Sequence, residues 1–353
     1  GWRLTCLDED REDMIVDLPH DAMCAERRSL QSRGRHNIGW FEGHDYAYTK
    51  TLTLPEGFDA FELELEGVYH NAEVYVNGQK ALYRPNGYTC FHGDITSLLH
   101  SGENEIRVIA RNADQPNSRW YTGTGIYRPV WLYGGKGQYI LLNSLRIRTL
   151  SIGETTRIAL RADTKLPGDV TFDIRDPEGS LVGSFSGKSG AVLEADIPAA
   201  RLWSPATRTA RTGDDEVTET FGIRTLTWTA ENGIAINGQH TILKGACIHH
   251  DNGVLGACAF PEAEERKIRL LKDVGYNAIR SAHNPCSKAM LSACDRLCVL
   301  VMDEYTDMWY IHKNAHDYAG YMREWWHQDL LEMVDKDYNH PSVIPVSYTH
   351  LRA

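Results

Sequence analysis

Apolar and polar residues alternate along much of the first half of the chain. The stretches "TKTLTLPEG", "AFELELEG" and "NEIRVIARN" lie between residues 46 and 133 and change character at every second position. This is the period of a half-buried β-strand. "AEVYVNGQKAL" adds Asn77-Gly78, a pair that favours a two-residue hairpin turn. The pattern predicts a first β-sandwich over residues 1–136.

The same style of alternation continues from residue 137 to residue 226. "LRIRT", "TRIALRA" and "VTFDIRD" are separated by Gly, Pro and Asp turns, and no long stretch of helical period interrupts them. We expect a second, smaller β-sandwich here.

From about residue 241 strands and helices alternate. "TILKGACI", "NAIRSAH" and "VLVM" read as strands, and a helix follows each of them. The first helix, "PEAEERKIRLLKDVG", has Pro261 near its start and Gly275 as its stop, and Ser287 opens the second, "SKAMLSACDRLC". The third is "YMREWWHQDLLEMVDKD". The residues expected to face the core from the first and third helices are Ile268, Leu271, Val274, Met322, Trp326, Leu330 and Met333.

Polar side chains follow each of these three strands. The groups are His249-His250-Asp251, then Arg280, His283 and Asn284, then Asp303-Glu304. An open nucleotide-binding sheet would instead carry a glycine-rich phosphate turn after its first strand. In a closed β/α barrel the carboxyl ends of the strands form the active-site face. Residues 227–344 are therefore predicted to be part of such a barrel.

Composition narrows the possible partners. The chain has 353 residues, 42% hydrophobic, with 37 basic and 48 acidic side chains and a net charge of -11, which disfavours nucleic acid and anionic membranes. No apolar stretch approaches the roughly 20 residues of a membrane span. The eight cysteines show no zinc-type spacing, so we expect no metal site and no disulfide framework, with Cys294 and Cys298 as core residues.

The ordered motifs resemble glycoside hydrolase family 2, in particular its β-galactosidase-like members. "DLPHD" and "WYTGTGIYRPVWL" are similar to the family's sugar-binding jelly roll, and "LWSP" and "ETFGIRTL" to its immunoglobulin-like middle domain. "LKGACIHHDN", "NAIRSAHNP", "VMDEYTDMW" and "YNHPSVI" resemble successive strands of its TIM barrel. The segment between "LWSP" and "ETFGIRTL" is short, so we expect the middle sandwich to lack a strand.

The resemblance implies a set of sugar-binding residues. His249, Arg280 and His283 would line the pocket for the nonreducing sugar, with Asn284, Asp303 and Asp307 as further candidates and Trp309 as an aromatic face. A sugar presents a ring of hydroxyl groups, which requires fixed donors and acceptors beside an apolar surface. For Asp303 and Glu304, a structural role at the strand end remains an equal alternative.

Retaining glycosidases need two carboxyl groups about 5 Å apart, a nucleophile and an acid/base. The resemblance places the acid/base glutamate directly after "HPSVI", where this chain reads "PVSYTHLRA", and the nucleophile farther on. We expect both catalytic glutamates beyond Ile344, a truncated barrel, and a non-native tail at residues 345–353.

Two classes of function follow. The first is an inactive fragment of a hydrolase that cleaves terminal β-linked sugars, with β-galactosides favoured over β-glucuronides and β-mannosides. The second is a non-catalytic carbohydrate-binding protein. We expect a carbohydrate ligand, no cofactor and a homo-oligomeric full-length parent, while the sequence leaves the cellular compartment open.

Overall fold

The computed structural model describes residues 1–198, 200–203, 206–213 and 215–344, with the backbone alone for 206–209. The tail predicted at 345–353 lies outside the described residues.

The first 135 residues form a β-sandwich of two antiparallel sheets. Its strands are β1 (Trp2–Cys6), β2 (Met14–Val16), β3 (Asp45–Thr53), β4 (Ala60–Leu65), β5 (Ala72–Val76), β6 (Gln79–Arg84), β7 (Phe91–Asp94), β8 (Glu103–Arg111) and β9 (Val130–Gly135). One sheet has the order β2-β1-β3-β8-β5-β6 and the other β7-β4-β9. Tyr48, Leu63 and Val108 are buried between them. The hairpin prediction is confirmed, since Asn77 and Gly78 join β5 to β6 with φ of 50° and 78°.

A second sandwich follows and is more complete than the sequence suggests. Its strands are β10 (Arg146–Ser151), β11 (Thr155–Arg161), β12 (Asp169–Arg175), β13 (Leu181–Lys188), β14 (Leu193–Pro198), β15 (Ala206–Thr212) and β16 (Asp215–Phe221). The sheets β10-β11-β14 and β13-β12-β15-β16 enclose Ile158, Phe172 and Ile174. The expectation of a missing strand is wrong, because the short segment folds back as the hairpin β15-β16.

Short elements connect the larger parts. The antiparallel sheet β17 (Leu226–Thr229), β18 (Gly233–Ile236) and β19 (Gln239–His240) leads into the last region. The 3-10 helices of the described chain are Ala22–Ala25, Arg35–Ile38, Thr96–Leu98 and Gly253–Leu255.

The last region is a parallel sheet in which helices connect the strands. Its elements are β20 (Gly245–Ile248), α1 (Pro261–Asp273), β21 (Ala278–Ser281), α2 (Lys288–Leu297), β22 (Leu300–Met302), α3 (Ala319–Asp337) and β23 (Val343–Ile344). The strand order β20-β21-β22-β23 follows the chain. All four carboxyl ends therefore lie at one edge of the sheet. Within the described chain, none of the helices combines the length and apolar composition needed to cross a membrane.

The helix boundaries agree with those predicted from the sequence, but three residues predicted to face the core are exposed. Pro261 begins α1, and the Ser287 side chain caps α2 by accepting from the Met290 amide at 3.1 Å. Val274 is 74% exposed because α1 ends before it, and Trp326 is 38% exposed on α3. Cys298 is also exposed, since it ends α2 in the left-handed conformation and leaves the apolar stripe.

Buried polar contacts connect the first sandwich to the parallel sheet region. Arg84, at the end of β6, donates to the Asp329 carboxylate of α3 at 2.9 Å, and both side chains are buried. Arg128 is also buried and donates to the carbonyl oxygens of Tyr88 and Pro285, each at 2.8 Å. The Asp21 carboxylate accepts from the Ala257 amide at 2.9 Å. The sandwich thus forms part of the wall behind the strand ends.

Candidate functional site

Glu304 organises the polar edge of the parallel sheet. Arg280 donates to Glu304 Oε1 at 2.8 Å, and His283 Nδ1 donates to Oε2 at 3.0 Å. Since a carboxylate only accepts, this contact requires a proton on Nδ1 of His283. Arg280 also contacts the Cys247 sulfur at 3.4 Å across the register Cys247↔Arg280. Three neighbouring strands thus deliver side chains to one place.

His249 and Trp120 complete this group, which we call the strand-end cluster: His249, Arg280, His283, Glu304 and Trp120. The ring centroids of His249 and His283 are 5.9 Å apart, and Trp120 lies 5.6 Å from the first and 5.4 Å from the second. Burial, followed by the nearby His283, lowers the pKa of His249. The surroundings of His249 therefore favour its neutral form.

Trp120 comes from the first sandwich. Its indole N–H donates to the Tyr88 hydroxyl at 3.0 Å, which holds the ring against the two histidines. Trp120 lies within the motif "WYTGTGIYRPVWL" but was not predicted to belong to the site. Its position depends on the docking of two domains, which no local pattern reveals.

Four other predicted residues occupy different surroundings. Asn284 is buried beside a small cavity that Arg128 and His250 also line. The side-chain amide of Asn284 has no hydrogen-bond partner among the described residues. Asp303 is fully buried, accepts from the Cys286 amide at 2.9 Å and lies 3.5 Å from Lys336 Nζ.

Asp307 and Trp309 belong to the loop after β22. Asp307 accepts from Arg119 Nε at 3.1 Å and from Lys313 Nζ at 2.7 Å. Burial alone would raise the pKa of Asp307. The contacts with Lys313 and Arg119 outweigh burial, so the pKa is lowered. Trp309 packs against the cluster formed by Tyr305, Met322 and Met333. The structure therefore gathers Arg280 and His283 around Glu304 with His249 beside His283, and it places the other four candidates in different contacts.

A pocket opens next to the strand-end cluster, between the loops of the first sandwich and those of the parallel sheet. In this structure it is narrow, with a cavity volume of about 30 Å³. Its lining is aromatic and neutral-polar: Tyr69, His70, Pro85, Asn86, Gly87, Tyr88, Asn117, Ser118, Trp120, His283, Tyr305, Thr306, Met308, His316, Tyr318 and Tyr321. Hydroxyl, amide and ring groups of this kind match the surface of a sugar. We call it the interdomain pocket.

Two buried histidines near the interdomain pocket should make stability depend on pH. Burial lowers the pKa of His70 to about 4 and that of His250 to about 3. Both values lie below that of the unfolded chain, about 6.5. The part of the free energy of unfolding that depends on these neutral histidines is fully present above pH 6.5 and is lost as the pH falls. At pH 5 each histidine should lower the free energy of unfolding by about 2 kcal/mol relative to its value above pH 6.5.

Urea unfolding at pH 7.5 and pH 5 measures this loss. We expect His250→Gln to make the loss between pH 7.5 and pH 5 smaller by about 2 kcal/mol, with the share of His70 remaining. The Nε2 that donates to the Thr122 carbonyl at 3.0 Å is replaced by a group that does not titrate. The exposed His240→Gln is the control and should keep the full dependence. Parallel pH curves for wild type and His250→Gln would contradict the assignment.

Comparison with known proteins identifies the class of the chain. A model of the glycosyl hydrolases family 2 TIM barrel domain matches residues 229–349, and one of the glycosyl hydrolase 2 galactose-binding domain-like fold matches residues 20–131. The chain belongs to glycoside hydrolase family 2. It thus combines a galactose-binding-like β domain with part of a TIM barrel domain.

Individual relatives differ in the sugar that their names specify. The chain is 37% identical to the β-galactosidase BoGH2A of Bacteroides ovatus, over 95% of this chain and 42% of that protein. It is 32% identical to a putative β-glucuronidase of Formosa agariphila, over 95% of this chain and 34% of that protein. The chain thus spans less than half of either relative.

Solved structures agree with this fold. A family 2 member from Bacteroides cellulosilyticus superposes with a TM-score of 0.89 at 33% identity, covering 97% of this chain and 50% of the other. A β-glycosidase from Bacteroides vulgatus gives a TM-score of 0.92 at 31% identity, covering 98% and 48%.

Proposed function

We propose that this chain carries the part of a retaining β-glycosidase that binds the nonreducing terminal sugar. The observation that carries the proposal is the strand-end cluster, in which Glu304 holds Arg280 and His283 while Trp120 faces His249 and His283. Such a site offers fixed donors, a carboxylate and an aromatic face within one cleft. His249, Arg280 and His283 contact the sugar in this proposal, and Asn284, Asp303, Asp307 and Trp309 support the walls around it.

A neutral sugar suits the interdomain pocket better than an acidic one. None of the described residues that line this pocket is Lys or Arg. The nearby cations are already paired, since Arg280 binds Glu304 and Arg119 binds Asp307. A uronate carboxylate would therefore find no free permanent cation among these residues, which favours β-galactosides. A β-glucuronidase or β-mannosidase parent is the alternative.

The proposal extends to the domain plan. We infer that the middle sandwich is immunoglobulin-like and that the four parallel strands are the first part of an eight-stranded barrel. In this plan both catalytic glutamates lie beyond Ile344, so the described residues bind the sugar and do not hydrolyse it. A non-catalytic carbohydrate-binding protein is the second candidate, because the cleft forms entirely within the described residues.

Turnover of a chromogenic β-galactoside tests these proposals. We expect none from the 353-residue chain, and we expect the full-length gene product to hydrolyse it faster than the matching β-glucuronide and β-mannoside. Activity of the 353 residues alone would contradict the placement of the glutamates. Inactivity of a folded full-length product that still binds galactose would favour the non-catalytic candidate.

A further inference from the structure

Cys6, Asp8 and His44 converge at one end of the first sandwich. β1 and β3 pair through Cys6↔Tyr46, and the Leu7 amide continues the ladder by donating to the Asp45 carbonyl at 2.8 Å. Alternate residues of a strand share a face, so Cys6 and Asp8 lie on the same side as His44. None of the three lines the interdomain pocket.

The distances within this group suit a metal ion. The Cys6 sulfur lies 3.3 Å from Asp8 Oδ1, and His44 Nδ1 lies 3.2 Å from Asp8 Oδ2. All three ligand atoms fall within 4.8 Å of one another. Zinc bonds of about 2.0 Å to N and O and about 2.3 Å to S place tetrahedral ligand atoms at similar separations. We propose that Cys6, Asp8 and His44 bind a zinc ion, with the fourth position open to water beside the partly exposed Asp8.

The surrounding charge supports a cation at this place. Residues 8–13 read "DEDRED", five carboxylates against one arginine. Glu26 adds another carboxylate, which binds Arg11 and lies 3.8 Å from His44 Nε2. A thiolate and an imidazole select zinc over magnesium or calcium, which prefer oxygen ligands alone.

Arg11 competes with the metal. It donates to His44 Nε2 at 3.1 Å, which puts the ring proton on Nδ1, the atom that would bind zinc. Binding therefore moves this proton to Nε2 and releases one proton from the Cys6 thiol. Glu9 and Glu26 carboxylate oxygens lie 3.8 Å from Nε2 and can accept its hydrogen once the partly exposed Arg11 swings away.

A cobalt(II) titration of the protein tests the site, because a thiolate bound to cobalt gives a charge-transfer band in the near ultraviolet. We expect this band at one equivalent, its loss in Cys6→Ser and in His44→Gln, and its retention in Cys298→Ser, which removes an exposed thiol outside the proposed site. Zinc should displace the cobalt, and zinc binding to the metal-free protein should release about one proton per ion.

Two further variants separate a built site from adventitious binding. Asp8→Asn should weaken the affinity by about tenfold or more, and Arg11→Gln should strengthen it, since the competing donor is gone. A band that survives Cys6→Ser, no band at one equivalent in the folded protein, or weaker binding in Arg11→Gln would overturn the proposal.

Discussion

Asp329→Ala should lower the free energy of unfolding by about 3–5 kcal/mol, the usual cost of removing one partner from a buried ion pair. Asp329 is fully buried on α3 and accepts from Arg84 at 2.9 Å, Asn86 at 3.2 Å and Tyr305 at 3.2 Å, and from the Tyr318 hydroxyl. Without the carboxylate, these donors face a cavity. Of its two ion pairs, Arg84 keeps the one with Glu332 at 2.6 Å.

Urea unfolding followed by tryptophan fluorescence measures this effect. Asp335→Ala is the matched control, because Asp335 lies on the same helix and pairs with Arg146 where both side chains are about one third exposed. We expect that change to cost less than about 1 kcal/mol. Equal losses in the two variants would show that the buried contact does not hold the domains together.

Glu304→Gln should reduce kcat/KM of the full-length gene product for a β-galactoside by about 100-fold. The carboxylate accepts from two donors, Arg280 and His283, and an amide can accept from only one of them. Its NH2 group would meet the other donor and push it out of position. Loss of one charge-assisted contact of about 3 kcal/mol corresponds to this factor.

Glu265→Gln provides the comparison. Glu265 also binds two cations, Arg269 and Arg296, but on an exposed helix surface. We expect its kcat/KM to stay within about twofold of wild type, because exposed pairs contribute little. Circular dichroism should show both variants folded. An unchanged kcat/KM in folded Glu304→Gln would remove Glu304 from the site.

Local patterns predicted the elements because local physics determines them. Pro261 and Ser287 begin helices through the missing amide and the side-chain cap, and Asn77-Gly78 turns a hairpin through its positive φ angles. Solvent exposure at the helix ends was harder to predict than the helices themselves, as the exposed Val274 and Cys298 show. An apolar period does not reveal where a helix stops or which part of its stripe meets a partner.

The site was partly predictable, because the alternation of side chains along a strand is also a local property. Arg280 pairs with Met302 in the register, and Glu304 follows two positions after Met302, so alternation alone places Glu304 beside Arg280 and turns Asp303 away. Asp303 was nevertheless named among the predicted pocket residues, and Glu304 was not. Trp120 had no such signal, because its neighbours His249 and His283 belong to another domain.

The buried Arg128 has a consequence for how such proteins can be recombined. It reaches from the sandwich to the Pro285 carbonyl, in the loop that carries His283. A barrel joined to an unrelated sandwich would lose this donor and leave the loop without its support. An engineered exchange of the sandwich should therefore keep an arginine at this position.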